Sequence, residues 1–387
     1  MRKIAVFTGT RAEYGLLSGV IARLRSNPDC LPQLIVSGTH LSPEHGYTIN
    51  QITHDGLAPA AGIPLDLKDN SPAGICRAMG KALGEYAEQL HRLSPDLIVL
   101  LGDRYETFAM ACAAHMLRLP IAHLHGGELT LGAVDDAFRH SITKMSHLHF
   151  ASCEIHRERV IQLGEDPERV FNVGSLGVEN CRALELASER EIRSELQLEA
   201  KIPYLVCTMH PVTLDKASPQ EQVQPLLQAL NQFPDQAVIF TGANADPGGD
   251  SINAILQEYV KKRQNARFFM SLGQKLYFSA VRYAACVLGN SSSGIIEVPS
   301  LGRAVVDIGN RQKGRVRAKT VLHAEQTEAA ITKALAAALS PAYRQDSLHA
   351  DNPYDKKGTA RQIVEHVLSA PLENILNKNF FTLNRPV

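Results

Sequence analysis

No two of the seven cysteines form a C-x-x-C pair, and their number is odd. That disfavours a disulfide framework or a zinc cage and points to a reducing compartment. An excess of one charge is also missing: Lys plus Arg and Asp plus Glu both number 40. A nucleic-acid surface needs a basic surplus, so that partner is not expected, although a few arginines could still hold one anionic ligand. No segment has the length and apolarity of a membrane span. Met1-Arg2-Lys3 leads straight into a strand-like run, without the apolar stretch and cleavage site of a signal peptide. The cytosol is the expected location, with no membrane partner. The G-x-G-x-x-G dinucleotide fingerprint is absent after the first strand-like run, which disfavours a nicotinamide cofactor.

What is present describes two α/β domains. At 387 residues the chain exceeds what one core supports, and its 44% hydrophobic and 21% charged residues suit a soluble globular protein. Strand-like runs at Lys3–Thr8, Leu34–Ser37, Pro95–Leu101, Ile121–Leu124 and His149–Ala151 alternate with helical patterns, one of them over Asp135–Ser146. A charged helical stretch from about Ser175 to Ala200 reads as the inter-domain connection. A second series follows at Tyr204–Thr208, Ala237–Thr241, Arg267–Ser271, Cys286–Leu288 and Ala304–Ile308. This rhythm predicts parallel sheets wrapped by helices, with domains at 1–180 and 181–364 and the tail from about 365 to 387 returning to the first. Ligands of such sheets sit beyond the carboxyl ends of the strands, which is where candidate chemistry is sought.

The run Val287-Leu-Gly-Asn-Ser-Ser-Ser-Gly-Ile-Ile-Glu297 ends a strand and opens a helix. Its serines, Ser291 and Ser292 among them, and Gly294 would let N–H groups and hydroxyls converge on a phosphate or diphosphate at a helix N-terminus. Glu297 lies about one turn on, where a carboxylate could grip a ribose diol. A capping box would need Glu three residues after the cap, and Ser293 to Glu297 is four. Arg11 follows the first strand, where it could reach a phosphate. Asp103 and Arg104 follow Leu100-Leu101-Gly102, a place where Asp could equally be a helix N-cap. His123 and His125 alternate along Ile121-Ala-His-Leu-His-Gly-Gly-Glu128, so both are expected on one side of the strand. No third ligand accompanies that H-x-H spacing, so no metal is expected. Asp135 opens the next helix. His210, Asn244 and Arg311 close three strands of the second series, and polar strand ends gathered in one sheet favour a shared site.

Together TGTRAEYG, IVSGTHL, LGDRYE, HLHGGE, FRHSITKMSHLH, VIQLGE, HPVT, GNSSSG-x-x-EVPS and IGNRQKGR resemble the UDP-N-acetylglucosamine 2-epimerases, in the hydrolysing branch of bacterial sialic- and legionaminic-acid synthesis. The likeness runs over most of the chain. It implies two Rossmann-like domains with a central cleft, the glycosyltransferase-B type, and a homodimer or homotetramer. It implies release of UDP and N-acetylmannosamine from a UDP-sugar, without a cofactor. The alternative substrate is UDP-2,4-diacetamido-2,4,6-trideoxyglucose; a non-hydrolysing epimerase or a glycosyltransferase is less expected. The resemblance places Arg11 on the diphosphate, Ser291 and Ser292 on phosphate, Glu297 on ribose, and Asn244 and Arg311 on the nucleotide side. Asp103, Asp135 and His210 match positions used for chemistry. Many relatives carry Glu where this chain has His125, so His125 itself and Glu128 are the candidates for that acid–base role.

Overall fold

The computed structural model describes residues 1–69, 71–130, 134–199, 201–212, 217–243 and 248–383. By its contacts the chain divides into two compact units, the first made of Met1–Leu129, Val134–Glu179 and the segment from Lys356, the second containing Asn180–Asp355. None of the described helices is long and apolar enough to cross a membrane.

The first unit carries a seven-stranded sheet ordered β3-β2-β1-β4-β5-β6-β7. Its strands are β1 (Arg2–Thr8), β2 (Cys30–Ser37), β3 (Ala61–Ile63), β4 (Leu97–Leu101), β5 (Ile121–Leu124), β6 (Leu148–Ala151) and β7 (Val170–Asn172). All neighbours pair in parallel, with Ile4 opposite both Pro32 and Leu97. Every residue of β4 is buried, because helices cover both faces. Side-chain alternation divides each strand between two cores. Ile4, Val6, Leu97 and Val99 join Leu17, Ile21 and Leu24 on one face. Ala5, Phe7, Ile98 and Leu100 join Tyr86, Met110 and Ala114 on the other.

The last helix, Thr359–Ser369, belongs wholly to the first unit. Ala360, Ile363, Val364 and Val367 sink into its core, and Arg2 bonds the carbonyls of Val367 and Ala370 at 2.8 and 3.0 Å. The expected boundary at 364 would have cut this helix and stripped half its apolar face. The chain instead returns between Asp355 and Lys356.

The second unit carries a six-stranded parallel sheet ordered β10-β9-β8-β11-β12-β13. The strands are β8 (Tyr204–Thr208), β9 (Ala237–Thr241), β10 (Ala266–Phe269), β11 (Cys286–Gly289), β12 (Val305–Ile308) and β13 (Val321–Ala324). In both sheets a strand order that reverses beside the first strand of the unit leaves loops diverging at the carboxyl ends of the central strands, the usual ligand position.

Candidate active site

In the first unit the site groups stand on loops after β1, β4 and β5. Thr10 caps the helix Arg11–Ser26 in a capping box: its hydroxyl accepts from the Glu13 N–H at 3.2 Å, and Glu13 accepts from the Gly9 and Thr10 N–H groups. Arg11 is exposed on the first turn. Burial raises Glu13 to about 7, against the opposing pull of the Arg104 guanidinium 4.0 Å away. Arg104 binds Glu106 through two nitrogens at 3.0 and 3.2 Å, with 43% of its side chain still exposed.

Asp103 does not cap the following helix, since the N-cap of Tyr105–Met116 is Arg104 and no side chain caps it. Its carboxylate instead forms an ion pair with Arg139, a guanidinium only 5% exposed. Arg139 also donates to the Glu128 carbonyl at 2.9 Å and pairs with Asp136 at 3.4 Å. One buried arginine thus ties together the β4 loop, the β5 loop and the helix Asp135–Met145. Asp135 itself is exposed on that helix's first turn.

The expectation that His123 and His125 share one side of a strand fails. β5 ends at Leu124, and His125 takes a left-handed backbone with φ of 63°, so the alternation does not reach it. His123 is fully buried, with Nε2 2.8 Å from the Gly102 carbonyl and Nδ1 3.2 Å from the Thr143 hydroxyl. Burial lowers its pKa to about 3, so it is neutral. His125 turns to Glu128 instead, Nδ1 standing 3.5 Å from Oε1. Among the described residues no group of three or more His, Cys, Asp or Glu is placed to hold a metal.

In the second unit the ends of β8, β11 and β12 are joined by Asn290, which is 1% exposed. Its side chain accepts from the His210 N–H at 2.7 Å and donates to the His210 carbonyl at 2.8 Å. Its own carbonyl accepts from Gln312 at 2.8 Å and Arg311 at 3.2 Å. His210, Arg311 and the 290–297 loop are therefore brought together; Asn244 lies outside the described residues. Ser291 is the N-cap of the short helix Ser292–Ile296, and its hydroxyl makes no capping bond. Glu297 is half-buried, its negative charge adding to the burial that raises the Cys181 thiol to about 12. Gly294 faces inward: a Cβ there would lie 3.1 Å from Val305 Cγ1, so this glycine brings helix and strand together.

The sequence motifs assign no role to Arg139, Asn290 or Gln312. Arg139 carried a weak signal, lying one turn after Asp135-Asp136. Glu13 was visible only as the last letter of a T-x-x-E capping box.

Residues 22–368 match the family model described as UDP-N-acetylglucosamine 2-epimerase. The chain is 37% identical to the GDP/UDP-N,N'-diacetylbacillosamine 2-epimerase (hydrolyzing) of Campylobacter jejuni, over 99% of each chain. It is 34% identical to the UDP-N,N'-diacetylbacillosamine 2-epimerase (hydrolyzing) of Legionella pneumophila, over 98% of this chain and 99% of that one. It is 38% identical to the polysialic acid biosynthesis protein P7 of Escherichia coli, over 92% and 91%. The crystal structure of UDP-GlcNAc 2-epimerase from Neisseria meningitidis bound to UDP-GlcNAc superposes with a TM-score of 0.79 at 16% identity, covering 95% of this chain and 100% of that one. That likeness establishes the fold class, two Rossmann-like α/β units of the glycosyltransferase-B type.

Proposed function

The chain belongs to the UDP-N-acetylglucosamine 2-epimerase family, and from that premise we propose that it cleaves UDP from UDP-N,N'-diacetylbacillosamine while inverting C2 of the sugar. It is an enzyme of the hydrolysing UDP-sugar 2-epimerase type. The observation that carries the reading is the set of acid–base groups on the first unit's strand ends: Asp103 anchored by buried Arg139, and Glu128 facing His125. The diacetylated sugar is preferred because two relatives matched over nearly the whole chain are described as acting on it. N-acetylglucosamine, giving N-acetylmannosamine, is the second reading, supported by the family description. The E. coli relative supports a place in sialic-acid-type synthesis.

The chemistry follows from the weak acidity of C2–H. That proton becomes removable once the C1–O bond to UDP breaks and positive charge grows at C1. Ser291, Ser292, Arg11 and Arg311 would hold the departing diphosphate, stabilising charge that develops only as the bond breaks. Asp103, fixed by Arg139, places a negative charge to favour the cationic transition state. A base removes the C2 proton and leaves a glycal-type alkene; His125 with Glu128, or Asp135, fits that task. Water then adds at C1 and a proton returns to C2 on the opposite face, with His210 a candidate to guide the water. The sum is one UDP-sugar and one water giving UDP and the free 2-epimer. Glu297 is assigned to the ribose. The test offers the protein both UDP-sugars in separate reactions and assays released UDP and free sugar. Faster release from the diacetylated substrate supports the first reading, and preference for UDP-N-acetylglucosamine favours the second. Release from neither refutes both.

A further inference from the structure

His125 faces a carboxylate that heads a hydrogen-bonded chain into the core of the first unit. Glu128 is 5% exposed, Ser152 0% and His156 1%. The Ser152 hydroxyl lies 2.8 Å from Glu128 Oε1, the same oxygen that faces His125 Nδ1, and 2.9 Å from His156 Nδ1. A serine hydroxyl has one proton, and a carboxylate can only accept. Ser152 must therefore donate to Glu128, and its oxygen must accept from His156. That fixes His156 with its proton on Nδ1. The chain then runs in one direction, from His156 through Ser152 to the Glu128 carboxylate, whose Oε1 also stands 3.5 Å from His125 Nδ1.

Two backbone features hold the same assembly. His125 has φ of 63°, a conformation costly for a residue with a Cβ, and its N–H is tied to the Phe150 carbonyl at 2.8 Å. Gly127, with φ of 80°, brings the turn so near the helix Glu154–Gln162 that a Cβ would sit 2.3 Å from the His156 carbonyl oxygen. The Arg159 guanidinium donates to the Gly127 carbonyl on that turn.

We propose that Ser152 and His156 are positioning residues: they lock the Glu128 carboxylate in one rotamer and through it hold His125 in the tautomer whose Nε2 carries the lone pair. This rests on the reading of His125 and Glu128 as the acid–base pair. A neighbouring carboxylate that receives one ring N–H orients an imidazole and makes its other nitrogen more basic.

The test measures kcat, KM and UDP affinity for the full chain with whichever UDP-sugar it turns over. Ser152→Ala and His156→Leu are expected to lower kcat roughly 10- to 100-fold, the usual effect of losing an orienting partner, with KM and UDP affinity held within about twofold. Ser152→Thr, which keeps the hydroxyl, and His156→Asn, which keeps a donor near Nδ1, are expected to recover most of that loss. Wild-type kcat in Ser152→Ala and His156→Leu, with Glu128→Gln inactive, overturns the positioning role alone. Loss of kcat and UDP affinity together, without rescue by Thr or Asn, shows a merely structural role and also overturns it. Wild-type kcat in Glu128→Gln and His125→Asn refutes the acid–base reading itself, and the positioning role with it.

Discussion

Gly289→Ala tests the geometry that places the 290–297 loop. Gly289 ends β11 opposite Thr208 of β8 and has φ of 129°. An alanine Cβ would stand 1.9 Å from the Thr208 carbonyl oxygen and 2.7 Å from its carbon, where ordinary contact begins at 3.4 Å. That carbonyl cannot swing aside freely, because it accepts the Asn290 N–H at 3.1 Å. Relief requires the two strand ends to part. This weakens that bond and the two between Asn290 and His210, at about 1 kcal/mol each. The positive φ adds about 1–2 kcal/mol. The expected loss is about 4–5 kcal/mol, or about 8–20 °C in Tm for a unit of this size. Gly273→Ala is the control in the same unit: φ is 64°, but nothing lies within 4 Å of the added carbon, so about 1–2 kcal/mol is expected. Thermal melts by circular dichroism and UDP titration calorimetry read both variants, and UDP affinity should fall only in Gly289→Ala. If the two variants melt at the same temperature and bind UDP alike, the close approach of Gly289 to Thr208 does not hold this strand end.

Three further outcomes are expected. Asp103→Asn should abolish turnover while leaving UDP affinity nearly unchanged; full activity in that variant removes Asp103 from the reaction. Burial would raise the Glu165 pKa, but His149, Lys144 and Lys378, at 2.9, 2.6 and 2.6 Å, hold it at about 2. A depressed carboxylate stabilises the fold above its ordinary pKa and loses that contribution as pH falls towards 2, so Glu165→Gln should be less stable at pH 7 and converge on wild type in acid, a gap on the order of 3 kcal/mol by urea melts. Glu13 behaves oppositely: raised to about 7 by burial, its contribution is present in acid and declines as pH rises from 4.5 to 7. Glu13→Gln should flatten the stability profile in that window, and an unchanged slope counts against the buried carboxylate as its source.

The central strands were legible because their apolar runs are continuous: Tyr204–Thr208 and Ala237–Thr241 are read with the bounds the structure gives. The edge strands β3, β7 and β13, at AGI, VFN and VLHA, were not. Three or four residues at a sheet edge carry too little periodicity to separate them from loop. The candidate site divides the same way. Residues directly after a central strand, such as Asp103 and the 290–297 loop, announce themselves by position. Their partners do not. Arg139 lies 36 residues from Asp103, and Ser152 lies 24 from Glu128; only the folded sheet, pairing β5 with β6, brings Ser152 to Glu128. The left-handed turn at His125 was equally hidden, since no local pattern forces a histidine out of the β region.

In the proposed reaction UDP leaves by elimination across C1 and C2. Turnover in deuterated water, followed by proton NMR of the released sugar, tests it most directly. One deuterium at C2 of the product and inverted C2 stereochemistry are expected. A product that keeps its original hydrogen at C2 contradicts it.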